Sequence, residues 1–196
     1  MATAPPPAPP PQSAAQAPPA PGPSAALLLV PLLAGCLVAV ALGVYGGLHE
    51  PTRVGVLLAG FSSAPAAKAW TATGAIVFAG VQLLSALAIY GKLGTAPKWT
   101  GAVHRWSGRA AFLIAIPVAV HCLYALGFQS GDTRVLLHSL LGCLFFGVFT
   151  VKMLGLRIDR LPGWALPVLG GLAFTLLVGV WLLSSVWFFS TSGLTP

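Results

Sequence analysis

Five long apolar segments make up most of this chain, and they restrict the folds that it can adopt. They run over residues 25–47, 72–90, 103–128, 135–154 and 164–189. As a helix rising about 1.5 Å per residue, the first would reach roughly 34 Å, and the hydrocarbon core of a bilayer is about 30 Å thick. Backbone polar groups inside lipid must bond within their own segment. The sequence therefore predicts an all-α fold, an integral membrane bundle of five transmembrane helices within residues 25–190.

The scarcity of charged residues supports a membrane location. They make up 7% of the 196 residues, and the mean hydropathy is +0.89, whereas a soluble domain averages about 25% charged residues. The net charge of +7 comes from ten Lys and Arg against three acids. Because the basic residues flank the apolar segments, they are typical of topology signals and do not indicate nucleic-acid binding. The predicted partner of the chain is the lipid bilayer.

The two ends of the chain differ in composition from the apolar segments. Ten of the first 23 residues are proline, and none of them is charged. Such a segment favours polyproline II and cannot bury a core, so residues 1–24 are predicted to be a disordered tail. A ligand for a proline-binding module is the alternative. Residues 191–196 form a short C-terminal end.

The basic residues are distributed unevenly between the two predicted membrane faces. Seven lie near the face that carries the N-terminus, and three lie near the other face, which holds Arg53, Lys68 and Arg134. Basic residues accumulate on the cytoplasmic side of membrane proteins. The predicted location is therefore the cell membrane, with several spans, the N-terminus in the cytoplasm and the C-terminus outside.

Two histidines lie inside apolar segments, where a polar side chain usually has a task. His121 is in the third segment and His138 in the fourth. The short connection predicts that these helices are antiparallel neighbours, which places both histidines in the outer leaflet within about 4 Å of the same depth. This pair predicts one b-type haem held by two imidazoles, with His121 and His138 as its metal ligands. A copper or other metal ion, and structural hydrogen bonding between helices, are the alternatives.

Residues near His138 favour a large planar ligand. Gly142 follows one turn later on the same face, where a missing side chain lets a macrocycle approach. The second nitrogen of a ligating imidazole also needs a partner. Ser139, Gln82 or a backbone carbonyl freed by a proline are the candidates.

His104 lies about 25 Å from His121 along the same helix, so the two cannot bind one iron. It stands beside Arg105 and Arg109. This group is a candidate for binding a quinone head group or a haem propionate, and a simple interfacial histidine is the alternative. His49, just past the first helix, is predicted to be a loop residue or a further ligand candidate.

The segment HRWSGR at residues 104–109, followed by His121, resembles a pattern in b-type cytochrome membrane modules. The ferric-reductase-like and small di-haem cytochrome families often begin a haem-bearing helix in this way. The resemblance covers one helix and part of the next, and it implies haem and electron transfer. The gap of 17 residues rotates His121 by roughly 100° from the face of His104, so one haem is expected here. The whole chain is similar to an uncharacterised family of small five-helix bacterial membrane proteins.

These observations together predict a membrane electron-transfer subunit, cytochrome b-like, with one haem b. It would exchange electrons with a quinone or with a redox partner protein, and it is better described as a subunit than as a self-sufficient enzyme. A cofactor-free structural or assembly subunit of a larger complex is the main alternative. A small transporter is less favoured, because none of the three acids lies within a predicted span.

Overall fold

The computed structural model describes residue 1 and residues 25–55, 60–159 and 161–194. Within those ranges the chain is helical and contains no strand. α1 is Ala25–Leu48, α2 is Ala64–Ile89, α3 is Thr100–Val120, α4 is Thr133–Gly155 and α5 is Ala165–Trp181. A π-helical turn, His121–Leu126, extends α3, and another, Leu182–Val186, joins α5 to α6, Trp187–Ser192. The prediction for residues 1–24 falls outside the described residues, apart from residue 1.

The predicted fold class is confirmed by the length and composition of the helices. Among the residues that the structure describes, five helical segments are long and apolar enough to cross a membrane. We call the face that carries the α3–α4 connection, residues 127–132, the turn side. The α1–α2 connection lies on the same side, because each span reverses the direction of the chain.

α2 begins at Ala64 and not near residue 72, where the hydropathy pattern placed its start. The hydroxyl of Ser63 accepts a hydrogen bond from the backbone N–H of Ala66 at 3.2 Å, and Pro65 lies in the first turn. A serine cap followed by proline is a stable helix start, because the first-turn N–H groups have no partner within the helix. The early start places Lys68 within the span.

α1 and α4 approach each other closely at two glycines. A Cβ atom built on Gly35 would lie 2.6 Å from the carbonyl oxygen of Gly147, and one built on Gly147 would lie 2.7 Å from the carbonyl oxygen of Gly35. Glycine at both positions lets the two backbones touch, which is a common way to hold membrane helices together. α4 also packs along α5, while α3 packs along α2.

α3 and α4 were predicted to be neighbours, but they meet mainly on the side away from the turn. There the ring of Phe112 stacks on that of Phe149 with centroids 4.2 Å apart, and Phe146 meets Phe112 edge-on at 6.0 Å. α3 packs along α2, its π-helical extension contacts α1, and α4 packs along α1 and α5. A short turn determines which helices are connected, but it does not determine which faces pack.

The end of α3 is tied to the connection that follows α1. The ring of His49 stacks between those of Tyr45 and Tyr124, with centroids 5.1 and 4.9 Å away, and its Nε2 donates to the carbonyl of Tyr124 at 3.2 Å. The N–H of Arg53 donates to the carbonyl of Ala125 at 3.0 Å. His49 therefore satisfies a carbonyl at the end of a helix, which otherwise lacks a partner.

Candidate functional site

A cavity of about 330 Å³ opens between α2, α3, α4 and α5 on the turn side. Its volume falls at the lower end of the range of about 300–1,000 Å³ that is usual for small-molecule and cofactor sites. The walls farther from the turn are apolar and include Ala75, Ala115, Phe145, Phe146 and Leu177. Polar side chains lie nearer the turn and include Lys68, Gln129, Arg134 and Ser139. The cavity is therefore amphipathic along the membrane normal.

His138 is the histidine that lines this cavity among the described residues. Its Nδ1 lies 3.3 Å from the carbonyl oxygen of Val180 on α5. Because a carbonyl only accepts, Nδ1 carries the proton and Nε2 keeps its lone pair. Nε2 lies 3.9 Å from Sγ of Cys122, another lining residue. A histidine that ligates a metal usually donates its second N–H to a carbonyl or carboxylate in this way.

Gly142 provides open space beside His138. It lines the cavity one turn further along α4, and a Cβ atom built on it would meet no atom within 4 Å. The two other candidate partners of the imidazole that the sequence offered are used elsewhere. Ser139 donates to the carbonyl of Gln129 at 3.3 Å, and Gln82 bonds to His104.

His121 lies in the wall of a different cavity. It is 9% exposed and borders a space of about 30 Å³ between α2 and α3, together with Lys68, Pro117 and Val118. The π-helical turn begins at His121, and such turns are frequent at functional sites. The structure therefore places the two predicted haem ligands in adjoining cavities, with Lys68 in the wall of both.

Arg134 is held firmly at the turn side of the larger cavity. Its Nη1 donates to the carbonyl of Leu183 at 2.7 Å, and its guanidinium carbon lies 3.8 Å from the centre of the Trp187 ring. Its Nε is 3.7 Å from Oδ2 of Asp132. The sequence pattern had assigned Arg134 and Lys68 only to topology, so their place beside the cavity was missed. The cap at Ser63 was the sequence feature from which the position of Lys68 within α2 could have been inferred.

His104 belongs to a hydrogen-bonded network between α3 and α2. Ser85 donates to the carbonyl of Gln82 at 3.0 Å, so its oxygen can accept from Nδ1 of His104, which is 3.0 Å away. The amide nitrogen of Gln82 lies 3.0 Å from Nε2 of His104 and donates to it. Both ring nitrogens thus bond to α2.

Arg105 and Arg109, the predicted companions of His104, are exposed to the surroundings of the bundle. The guanidinium of Arg109 lies 4.9 Å from the centre of the Trp106 ring, a cation–π distance. Neither arginine lines the described cavity, and neither does His104. The structure does not bring the HRWSGR segment to the site that holds His138.

A comparison of the sequence with known protein families finds a match over most of the chain. Residues 28–196 match a family described as a family of unknown function, DUF6529. The chain belongs to the DUF6529 family. The match covers nearly all five spans of this DUF6529 protein and its cavity, and it confirms the predicted membership of an uncharacterised family. No curated protein and no solved structure matches the chain. The resemblance to b-type cytochromes stays a prediction.

Proposed function

We propose that this DUF6529 protein is a membrane electron-transfer subunit, cytochrome b-like, that holds one b-type haem in the cavity between α2, α3, α4 and α5. His138 would be an axial ligand of its iron. The observation that carries the proposal is the orientation of His138, whose Nδ1–H is satisfied by Val180 while the imidazole borders the cavity.

The donor set favours haem over a metal ion held by protein alone. In the part of the chain that the structure describes, no three His, Cys, Asp or Glu side chains come together. A porphyrin supplies the four equatorial nitrogens, so a haem protein needs only one or two axial ligands. His138 meets that requirement, and Gly142 leaves open space one turn away.

His121 is the candidate for the second axial ligand. It begins the π-helical turn, and the adjoining cavity that it borders shares Lys68 and Val118 with the larger one. His138 is therefore required, and His121 contributes only if the α3 turn brings it to the iron.

When bound, the haem would supply one-electron transfer, and the residues of this chain would hold it and exclude water from it. The apolar walls around Phe145 and Phe146 suit the porphyrin rings. With the N-terminus in the cytoplasm of the cell, as the basic residues indicate, the cavity lies on the outer side. The redox partner protein, or a quinone, would then meet the chain there.

The test is a visible spectrum of protein purified from haem-replete cells, oxidised and then reduced with dithionite. The wild-type protein is expected to show a sharp reduced α-band, and His138→Ala is expected to abolish it. If His121→Ala converts a low-spin haem to a high-spin one, His121 is the second ligand. His49→Ala is the matched control, because His49 stacks on Tyr45 and Tyr124 outside the cavity.

A colourless wild-type protein would contradict the proposal. It would favour the cofactor-free structural or assembly subunit, in which His138 would only bond α4 to α5. In that case His138→Asn would preserve the stability of the bundle, because an amide can also donate to the carbonyl of Val180.

A further inference from the structure

Two cations and no carboxylate line the cavity on the turn side. Lys68 comes from the second turn of α2, and Arg134 comes from the first turn of α4. Among the described residues that border the cavity, none is Asp or Glu. A cluster of positive charge beside an apolar chamber selects ligands with an apolar body and an anionic end.

The guanidinium of Arg134 is fixed in position but has donors to spare. It contacts Leu183, Trp187 and Asp132, and Asp132 is 61% exposed, so this ion pair is open to solvent. An arginine has five N–H donors, and one of them is used in a hydrogen bond within the described structure. Arg134 can therefore bind an anion without giving up its existing contacts.

The ammonium of Lys68 has neither a hydrogen bond nor an ion pair within the described residues. It is partly buried, and it borders both cavities. A lysine inside a membrane span is costly unless a partner or water meets its charge. Its position at the boundary of the two cavities makes a ligand in the larger one its natural counter-ion.

We propose that Lys68 and Arg134 bind the carboxylates of the ligand in this cavity. The identity of that ligand rests on the proposed function, in which the carboxylates are the two propionates of the haem. The apolar walls at Phe145 and Phe146 hold the other end, so the carboxylates face the turn side. Arg105 and Arg109, the propionate candidates in the sequence, lie on the opposite side of the membrane.

The first experiment compares haemin with haemin dimethyl ester, in which both propionates are neutral. Each is titrated into the full-length protein in detergent, and binding is followed by the Soret band. Wild type is expected to bind haemin at least about tenfold more tightly than the ester, a factor equivalent to about 1.4 kcal/mol. Lys68→Gln is expected to weaken haemin binding and leave ester binding unchanged, so that the preference becomes smaller.

Lys98→Gln is the matched control, because Lys98 is an exposed lysine in the α2–α3 connection, on the opposite side. Arg134→Gln should also reduce the preference, but it removes the contacts with Leu183 and Trp187 as well. A haemin preference that is unchanged in Lys68→Gln would overturn the carboxylate site and leave the proposed haem function intact.

A second experiment does not depend on haem. Trp181 and Trp187 border the cavity, so a brominated long-chain carboxylate bound there should quench their fluorescence. The acid is expected to quench at a lower concentration than the alcohol of the same chain length, and Lys68→Gln should remove that difference. If the protein does not bind haemin but binds the acid more tightly than the alcohol, the haem function is refuted and the carboxylate site is supported. Equal quenching by acid and alcohol would refute the carboxylate site.

Discussion

The absence of a side chain at Gly108 allows α3 to pack closely against Gln82 of α2. A Cβ atom there would collide with the amide group of Gln82, which bonds to Nε2 of His104. We expect Gly108→Ala to push Gln82 away and leave partly buried polar groups unpaired, at about 1–3 kcal/mol. Thermal unfolding in detergent measures this loss. Gly80→Ala is the control, because a Cβ at Gly80 meets nothing within 4 Å, and an equal loss in both variants would contradict the explanation.

His104→Ala tests whether that histidine is structural. Removing the imidazole leaves Ser85 and Gln82 without their partner on α3, so we expect a loss of about 1–3 kcal/mol in the free energy of unfolding. The haem spectrum and the haemin preference should not change, because His104 is outside the cavity. A lost spectrum in a variant that remains folded would instead restore His104 as a cofactor residue.

At the scale of single residues, the sequence draws attention to the histidines in apolar segments but not to the groups that surround them. Histidines in apolar segments stand out, because burial of a polar ring is rare without a partner. Their partners come from helices that are distant in sequence, as Val180 does for His138 and Gln82 does for His104. Periodicity along one helix contains no information about such partners. Gln82 and Ser85 lie three residues apart, on one helix face. This spacing was the feature of the sequence that could have indicated the partners of His104.

At the scale of helices, the α1–α4 pair depends on two glycines. We expect Gly147→Leu to drive the helices apart, because its side chain would meet the carbonyl of Gly35 and the methyl group of Ala39, which lies 3.0 Å from a Cβ at that position. Overpacking typically costs about 1–3 kcal/mol. Thermal unfolding in detergent is again the measurement.

Gly171→Leu is the matched control for this substitution, because Gly171 is exposed on α5 and a Cβ built there meets nothing within 4 Å. The explanation predicts a lower unfolding temperature for Gly147→Leu alone. If both leucine variants unfold like the wild type, α1 and α4 do not pack through these glycines.

The helices themselves could be predicted because the bilayer imposes a single requirement, a long apolar run with internal backbone bonds. Their ends were harder to predict. Hydropathy misses the first turns of α2, which contain alanine, proline and a lysine, whereas the cap at Ser63 marks the start. The separation of α3 from α4 was not predictable from a short connection. The two helices instead meet through Phe112 and Phe149, on the side away from the turn.

At the scale of the whole molecule, orientation is open to a direct test. The five spans found among the described residues place the start of α1 and the end of α6 on opposite sides, and six of the nine described basic residues lie near the side where α1 begins. We expect alkaline phosphatase fused after Leu194 to be active, because it would be exported. A fusion after Asp159, in the α4–α5 connection, should be inactive. The reverse pattern would show that the cavity opens towards the cytoplasm.

The cavity also determines how the bundle should respond to hydrostatic pressure. Pressure favours states in which internal voids are eliminated, and this bundle has a cavity of about 330 Å³. We expect Gly142→Leu, which adds a side chain where there is open space, to raise the pressure at which the fluorescence of Trp181 and Trp187 changes. Gly74→Leu, outside the cavity, should not. The space that admits a ligand would then be a compressible part of the molecule, and a ligand bound there would stiffen it.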